Sequence, residues 1–288
     1  MAPKNPFKFG SDLWDTSNRF ETSWLLSPWL LFACRALIAL YAFVTRFFII
    51  GWTCTHDSLG GCAAVRLSFS YFTILTYWGI AFYFLVAAVH TLTYAIRGRP
   101  LLDSFPRPLQ ALHALFYSTI VTYPFLVTIV YWVVLYDGPW FTVEFTAWSN
   151  VSQHGLNSLF ALFEIFVPRT NPPLWVHIPW LILILALYLA LAFVTYATQG
   201  VYVYNFLDYK EVNGRGIVAA YVFGIAVGIV IIFCIVWGLI RLRKWVTETK
   251  LGMEGKFAGQ PVTDDSEMNA IGNKYATGPS SETPDRLY

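Results

Sequence analysis

Polar side chains recur at helical spacing within an otherwise apolar stretch of the chain. The set is Asn150, His154, Asn157, Ser158 and Glu164. Because residues three or four positions apart lie on one face of an α-helix, these side chains form a single polar stripe among Leu and Phe residues. An ionisable group inside an apolar helix is costly and marks a candidate functional site. The stripe is therefore expected to face the interior of a helix bundle.

A second set of hydroxyl side chains opens another apolar stretch. Ser70, Thr73 and Thr76 are spaced three residues apart and share a helix face. A threonine hydroxyl becomes an effective nucleophile when a neighbouring imidazole takes its proton. Thr73 and His154 are therefore candidates for the nucleophile and general base of an acyl transfer, with Thr76 as the alternative nucleophile one turn away. The competing interpretation is that these hydroxyls only bond to carbonyls of their own helix.

The composition indicates the environment in which such a site would lie. Hydrophobic residues make up 57% of the 288 residues and charged residues only 12%, against about 25% charged residues in a soluble domain. So few charges cannot cover this much apolar surface in water, which indicates a membrane protein. The formal net charge of +2, without a block rich in Lys or Arg, argues against a nucleic-acid partner.

Apolar stretches of about 20 residues, the length that crosses a hydrocarbon core of about 30 Å, recur along the chain. They predict an all-α fold, a polytopic membrane bundle of six transmembrane helices at roughly residues 29–51, 69–96, 109–136, 151–167, 178–207 and 216–240. The fourth is the shortest and carries the polar stripe. Residues 1–28 would form a cytoplasmic N-terminal segment without a signal-peptide pattern. Residues 29–245 would form the transmembrane domain, and residues 246–288, which are polar, a disordered cytoplasmic tail.

Positive residues are concentrated at the chain ends and in alternate loops. One side would carry Lys4, Lys8, Arg19, Arg97, Arg99, Arg107, Arg241, Arg243 and Lys244, and the other only Arg66, Lys210 and Arg215. Because short cytoplasmic loops are enriched in Lys and Arg, both termini are predicted to be cytoplasmic. The membrane would belong to the endomembrane system or be the plasma membrane. The second and fourth spans then begin on the exoplasmic side, which brings Thr73 and His154 to similar depth.

The remaining candidates for chemistry are cysteines and histidines near the membrane surfaces. Cys54 and Cys62 fall in the first exoplasmic loop. An oxidising compartment would favour a disulfide between them, with two free thiols as the equal alternative. His90, His113 and His177 are interpreted as interfacial residues near the cytoplasmic ends. No metal and no cofactor is expected.

Residues 148–154, together with Glu164, resemble the fourth span of the androgen-induced protein family. Members of that family are membrane proteins that hydrolyse fatty-acid esters of hydroxy fatty acids. Residues 200–208 are similar to the run that follows its fifth span, and residues 71–73 lie where it carries a threonine nucleophile. The resemblance covers roughly residues 69–245.

The resemblance implies a six-span fold and a threonine-dependent lipid-ester hydrolase, with Thr73 as nucleophile and His154 as general base. A lipid ester would be the substrate, and membrane lipids the surroundings. Val151 and Gly155 depart from the pattern, because the family often has His and Thr at these places. Candidates to orient the imidazole, bind substrate or stabilise the oxyanion are Asn150, Asn157, Tyr202, Tyr204 and Asn205.

Other classes of function fit some of the same features. A non-catalytic transporter or channel for small molecules or lipids would line its pathway with the polar stripe, and polar stripes at both ends of several spans would indicate it. Here the polarity is concentrated toward one end of the second and fourth spans, which favours a site. A haem protein would need paired histidines at matching depth. A membrane scaffold would need no site and would use the polar tail.

Overall fold

The computed structural model describes residues 14–253, which are helical and form no β-strand. The α-helices of this range are α1 (Pro28–Thr55), α2 (Gly61–Ser68), α3 (Phe72–Arg97), α4 (Arg107–Ile120), α5 (Tyr123–Ile129), α6 (Glu144–Val151), α7 (Asn157–Phe166), α8 (His177–Gln199) and α9 (Arg215–Lys244). Three stretches are π-helical: Val130–Leu135, Ser152–Leu156 and Trp245–Lys250. Short 3₁₀ turns occupy Asp57–Leu59, Leu101–Ser104 and Asn205–Leu207.

Within residues 14–253, five helical segments are long and apolar enough to cross a membrane. They are Pro28–Thr55, Phe72–Arg97, Arg107–Leu135, His177–Gln199 and Arg215–Lys250. Large apolar side chains remain uncovered on their outer faces, as at Leu37 (65% exposed) and Phe223 (71% exposed). Such exposure is expected of helices surrounded by lipid rather than water. The chain is therefore an all-helical, multi-pass membrane protein.

The fourth predicted span is not among these five segments. In the structure it begins earlier, at residue 144, and runs through α6, a π-helical stretch and α7 to residue 166. It lies along α1, because Phe145 stacks on Trp52 at one end (ring centroids 5.6 Å apart) and Glu164 binds Arg35 at the other. We call residues 144–166 the polar helix.

Buried polar contacts join α1 to the polar helix between those two ends. Arg46 Nη1 donates to Gln153 Oε1 (2.7 Å), and the hydroxyls of Tyr41 and Ser152 hydrogen-bond to each other (2.7 Å). The Arg46 guanidinium also lies over the Trp78 ring. Such contacts let a helix with many polar side chains pack in an apolar bundle, because its hydrogen-bonding groups are satisfied by neighbouring helices.

The centre of this contact is a fully buried ion pair. Arg35 donates to both carboxylate oxygens of Glu164, from Nε (2.8 Å) and from Nη2 (2.9 Å). Arg35 Nη1 donates to the Phe20 carbonyl (2.7 Å) and to the Thr91 hydroxyl (2.6 Å). The Tyr83 hydroxyl donates to Glu164 (3.2 Å). One ion pair therefore ties together the N-terminal segment, α1, α3 and the polar helix.

The third predicted span is interrupted between α4 and α5. Pro124 lies in the first turn of α5 and has no N–H to donate to the carbonyl of Ile120, the last residue of α4. The polar helix binds at this break, since Ser158 Oγ donates to the Pro124 carbonyl (3.1 Å) and shares a hydrogen bond with the Thr128 hydroxyl (2.6 Å). The interruption is thus stabilised by side chains of the stripe.

The N-terminal segment and the end of α9 meet at one end of the bundle. Arg19 forms an ion pair with Glu248, and Ser23 Oγ donates to the Val167 carbonyl (2.6 Å). Helical structure continues after α9 as the π-helical Trp245–Lys250, although the sequence places the start of a disordered tail there. The rest of that predicted tail, after residue 253, lies outside the described residues.

Two helix ends differ from the predicted spans. Helix α8 ends at Gln199 rather than near residue 207, because Gly200 adopts a left-handed conformation (φ 70°) that terminates the helix. Helix α1 continues to Thr55, and a disulfide joins Cys54 in its last turn to Cys62 in α2.

The three histidines that the sequence predicts to be interfacial are covered by neighbouring helices. His90, His113 and His177 are 2%, 7% and 7% exposed, so all three are buried among helices. Each of them contacts a residue of another helix. His90 and His113 contact each other edge to face (ring centroids 5.3 Å apart), and the Ser118 hydroxyl hydrogen-bonds to His177.

Removing one partner of the buried ion pair should be strongly destabilising. Arg35→Met or Glu164→Leu leaves an uncompensated charge, which costs about 3–5 kcal/mol. The double variant removes both charges and should recover most of that loss. Thermal unfolding in detergent checks this, with exposed Arg66→Met as the control. A loss in the double variant equal to the sum of the two single losses would contradict the pairing.

Glu21 should make stability depend on pH. It is 1% exposed, and neither carboxylate oxygen has a hydrogen-bond partner among the described residues. Burial, with a smaller contribution from nearby Asp15, raises its pKa well above the usual value. The folded state therefore binds a proton that the unfolded state releases, so this contribution to stability is lost as pH rises through the raised pKa.

Glu21→Gln should accordingly stabilise the protein at pH 8, by roughly 1–3 kcal/mol, because it replaces an unpaired buried charge with a neutral amide. At pH 5 the gain should shrink. Melting temperatures at the two pH values measure it, with exposed Glu211→Gln as the matched control. An equal gain at both pH values would show that the carboxyl does not titrate in this range.

Candidate functional site

Thr73 is the second residue of α3, where main-chain N–H groups have no partner within the helix. The Tyr204 hydroxyl takes that place, because it accepts a hydrogen bond from the Phe72 N–H (3.1 Å) and lies beside Thr73 on the wall of the same cavity. Tyr204 comes from the connection between α8 and α9, just before the 3₁₀ turn Asn205–Leu207. It therefore caps α3 beside Thr73.

A second tyrosine fixes this cap. Tyr188 of α8 lies against Tyr204 (ring centroids 6.5 Å apart) and donates to the Ser70 carbonyl just before α3 (2.9 Å). Burial raises the pKa of the Tyr204 phenol, while the hydrogen bond that it accepts from the Phe72 N–H limits the rise. Tyr204 is thus a neutral phenol near pH 7 and can act as a hydrogen-bond donor.

Thr73 lines a cavity of about 210 Å³ between α3, α5, α8 and α9. Polar side chains on its wall are those of Thr73, Tyr131, Tyr188 and Tyr204; the other lining residues are apolar. The volume is below the roughly 300–1,000 Å³ typical of pockets for whole drug-sized ligands. It suits part of an alkyl chain, with a hydroxyl on the wall. We call it the Thr73 cavity.

Two π-helical stretches face each other beside this cavity. Tyr131 belongs to the stretch Val130–Leu135 and His154 to the stretch Ser152–Leu156. The two rings are stacked, with centroids 3.5 Å apart and planes 3° from parallel. π-Helical turns are rare and occur frequently at functional sites. Here each turn adds one residue to its helix and so sets the direction of an aromatic side chain.

The predicted general base, His154, is fixed in position and covered by neighbouring side chains. His154 is 8% exposed, and its Nδ1 is enclosed without a hydrogen-bond partner among the described residues. The Trp132 indole donates to the His154 carbonyl (3.0 Å), which fixes the backbone. No hydrogen bond joins Thr73 and His154 in the described structure; Tyr131 instead lies against His154 and lines the Thr73 cavity.

Of the predicted orienting residues, two contact the site and the others do not. Tyr204 caps α3 beside Thr73, and Asn150 accepts a hydrogen bond from the Tyr131 hydroxyl (2.5 Å) rather than one from His154. Asn157 is engaged at the break of the third span, where its Oδ1 accepts from Thr128 (3.0 Å). Tyr202 stacks on Tyr196, and Asn205 is exposed.

The alternative nucleophile lies elsewhere. Thr76 is 7% exposed, and its hydroxyl has no hydrogen-bond partner in the described part of the chain. It does not line the Thr73 cavity. The cavity therefore distinguishes the two threonines and favours Thr73.

A second hydroxyl–imidazole pair was not predicted from the sequence. Ser118 Oγ of α4 and His177 Nδ1 of α8 are 2.7 Å apart, and both residues are buried. Ser118 also contacts the Ala114 carbonyl (3.1 Å). Neither residue lines the Thr73 cavity, so this pair joins α4 to α8 and provides a control for experiments on Thr73.

Removing the Tyr131 ring should expose His154 to chemical modification. Diethyl pyrocarbonate acylates neutral imidazoles, and the stacked ring covers one face of His154. We expect His154 to react several-fold faster in Tyr131→Ala than in wild type, and Tyr131→Phe to stay slow because it retains the ring. Mass spectrometry measures the rate, with His56 in the loop as the internal reference. Equal rates in all three proteins would show that the stack does not shield His154.

Comparison of the chain with family models, with curated proteins and with solved structures found no match. The likeness to the androgen-induced protein family therefore stays a resemblance of particular residues. The features that bear on function are Thr73, its cavity and the stacked Tyr131–His154 pair.

Proposed function

We propose that this protein is a membrane-embedded hydrolase of lipid esters, such as fatty-acid esters of hydroxy fatty acids, with Thr73 as nucleophile and His154 as general base. The observation that carries the proposal is the position of Thr73. Its hydroxyl stands at the N-terminus of α3, on the wall of an apolar cavity inside a membrane protein. An ester with an alkyl chain is the substrate class that matches a hydroxyl in such a cavity.

The proposal includes six spans, with both termini in the cytosol and the Thr73 cavity toward the exoplasmic side. The polar helix supports the sixth crossing, because it extends along α1 from Trp52 to Arg35. Its low hydropathy is offset by contacts to α1 that satisfy its polar groups. The disulfide between Cys54 and Cys62 agrees with an oxidising compartment on that side.

The N-terminus of α3 would stabilise the charge that develops on the ester oxygen. The helix dipole favours negative charge at this position. Tyr204 adds a neutral hydroxyl at the start of α3. Loss of one such donor costs about 10²–10³ in rate in other enzymes.

His154 reaches the reaction only when Tyr131 moves. In the proposal, an alkyl chain that fills the cavity displaces the Tyr131 ring, which breaks the hydrogen bond to Asn150 and uncovers the imidazole. His154 then takes the Thr73 proton as Oγ attacks the ester carbonyl, and returns it to the departing alcohol. Water, deprotonated by the same imidazole, cleaves the acyl-threonine and releases the acid.

The test uses purified protein in detergent, a fluorophosphonate probe with an alkyl chain, and a panel of lipid esters. Wild type should be labelled at Thr73 and should hydrolyse at least one ester. Thr73→Ala should lose both activities, and His154→Ala should lower them by about 10²–10⁴, the usual contribution of a general base. Ser118→Ala should keep both, because its hydroxyl–imidazole pair does not line the cavity.

Each other outcome has a definite meaning. Loss of labelling only in Thr76→Ala would place the nucleophile one turn further along α3. Labelling of Ser118 would transfer the site to the pair between α4 and α8. A wild-type protein that neither reacts with the probe nor hydrolyses any ester is not a hydrolase.

The covered state of His154 favours one second candidate, a non-catalytic lipid carrier. In such a protein the Thr73 cavity would bind an alkyl chain, and the Tyr131–His154 stack would be structural. Transfer of a fluorescent lipid between vesicles by wild type and by Thr73→Ala alike, without ester cleavage, would support the carrier.

A further inference from the structure

One side of the Thr73 cavity is formed by side chains that are exposed on the outside of the bundle. Leu126 and Val127 of α5 line the cavity and are each 5% exposed, so its inner side is closed by the core. Ile182 of α8 and Phe223 of α9 also line it, yet they are 37% and 71% exposed. Side chains that border both the cavity and the outer surface mark an opening. The cavity therefore opens sideways, between α8 and α9.

This opening lies along the apolar part of two helices that are each long enough to cross a membrane. Ile182 is five residues after His177, where α8 begins, and Phe223 is eight residues after Arg215, where α9 begins. At 1.5 Å per residue they lie roughly 8 and 12 Å along the two helices. The opening, which we call the lateral mouth, therefore faces hydrocarbon rather than water.

The end of the cavity beside Thr73 is covered instead. Three side chains of the connection between α8 and α9, those of Val203, Phe206 and Leu207, are buried there. Phe206 stacks on the ring of Tyr204 (centroids 5.1 Å apart), which caps α3. A molecule that came to Thr73 from the aqueous surface would have to displace these packed side chains. The lateral mouth requires no such displacement.

The size of the cavity limits what can enter through this mouth. Its volume of about 210 Å³ is below the roughly 300–1,000 Å³ of pockets that enclose a whole drug-sized ligand. The lining is apolar except for Thr73 and three tyrosines. The cavity therefore holds part of one alkyl chain. A second chain of the same molecule would stay in the bilayer, where it remains out of water.

We propose that the Thr73 cavity takes its substrate from the bilayer through the lateral mouth, with one alkyl chain of a two-chain ester inside and the other chain in the surrounding lipid. This inference rests on the proposed function, because the reaction of the bound ester is assigned to Thr73. It restricts the substrate class to esters that dissolve in the membrane and excludes short, water-soluble esters.

Two small side chains allow the lateral mouth to be narrowed from either helix. Ala186 of α8 and Ala226 of α9 line the cavity, and replacement of either by Trp places a large ring at the opening. Their neighbours Leu187 and Val227 are exposed and do not line the cavity. Leu187→Trp and Val227→Trp are therefore matched controls that add the same ring to the same helices.

Entry is measured without cleavage by a two-chain ether, which cannot be hydrolysed, with a diazirine and a terminal alkyne on one chain. Wild-type protein in phosphatidylcholine nanodiscs is irradiated with this probe, and labelled residues are identified by mass spectrometry. Leu126 and Val127 should be labelled, because they line the cavity but are too buried to contact bulk lipid. Excess unlabelled ester with the same two chains should suppress these labels. Labels on exposed Leu37 of α1 report contact with bulk lipid and should persist.

The variants test the route of entry. Ala186→Trp and Ala226→Trp should each lower the labelling of the two α5 residues about tenfold, and the two control variants should leave it unchanged. If one alanine variant fails to fold, the other still decides. Equal labelling in wild type and the alanine variants, or no label on the α5 residues in wild type, would overturn entry through the lateral mouth.

Cleavage of the ester in the same nanodiscs separates this inference from the proposed hydrolase. Labelling that depends on the lateral mouth, without cleavage of any ester, would support the route of entry and contradict the hydrolase. Cleavage at equal rates in wild type, Ala186→Trp and Ala226→Trp would support the hydrolase and overturn the lateral mouth.

Discussion

The buried pair of Arg35 and Glu164 is the constraint on which the arrangement of the bundle depends. A charged pair in an apolar interior is stable only when each partner keeps its hydrogen bonds, because desolvation of either ion alone is far costlier than its packing gains. Both groups are satisfied by several elements at once. The pair therefore fixes the register of the polar helix against α1 and α3, and with it the level at which His154 lies.

Within the arrangement that this ion pair fixes, the two π-helical stretches set the directions of side chains. A π turn closes hydrogen bonds over five residues instead of four, so it rotates all later side chains relative to an uninterrupted α-helix. In the polar helix this rotation occurs at Ser152–Leu156, and across from it at Val130–Leu135. The stacking of Tyr131 on His154 depends on both π-helical stretches. A regular helix in either place would turn one ring away, and the imidazole would face a different neighbour.

Much of the fold was accessible from the sequence, because hydropathy and helical spacing are local properties. Five of the predicted spans appear as apolar helices, and His154, Asn157 and Glu164 of the stripe are buried within the bundle. The boundaries were less accurate, as at Gly200, where one left-handed residue ends α8 before the apolar sequence ends.

The contacts of the site could not be predicted in the same way. Tyr131 lies beside His154 only because of the π-helical turns, and Tyr204 caps α3 from a connection that has no regular periodicity. The pairing of His90 with His113 depends on how α3 and α4 pack. A single sequence carries no signal for such contacts, since they join residues that are distant in the chain.

The Thr73 cavity and a second cavity of about 400 Å³ between α3, α4 and α8 share a wall with few interior contacts. Neighbouring residues of α8 face them, with Ile184 lining the second cavity and Leu185 the Thr73 cavity. Only 17% of the apolar part of α8 is buried inside the protein, against 50% for α3. A helix with few interior contacts shifts at lower free-energy cost than one in the core. Movement of α8 therefore changes the shape of both cavities.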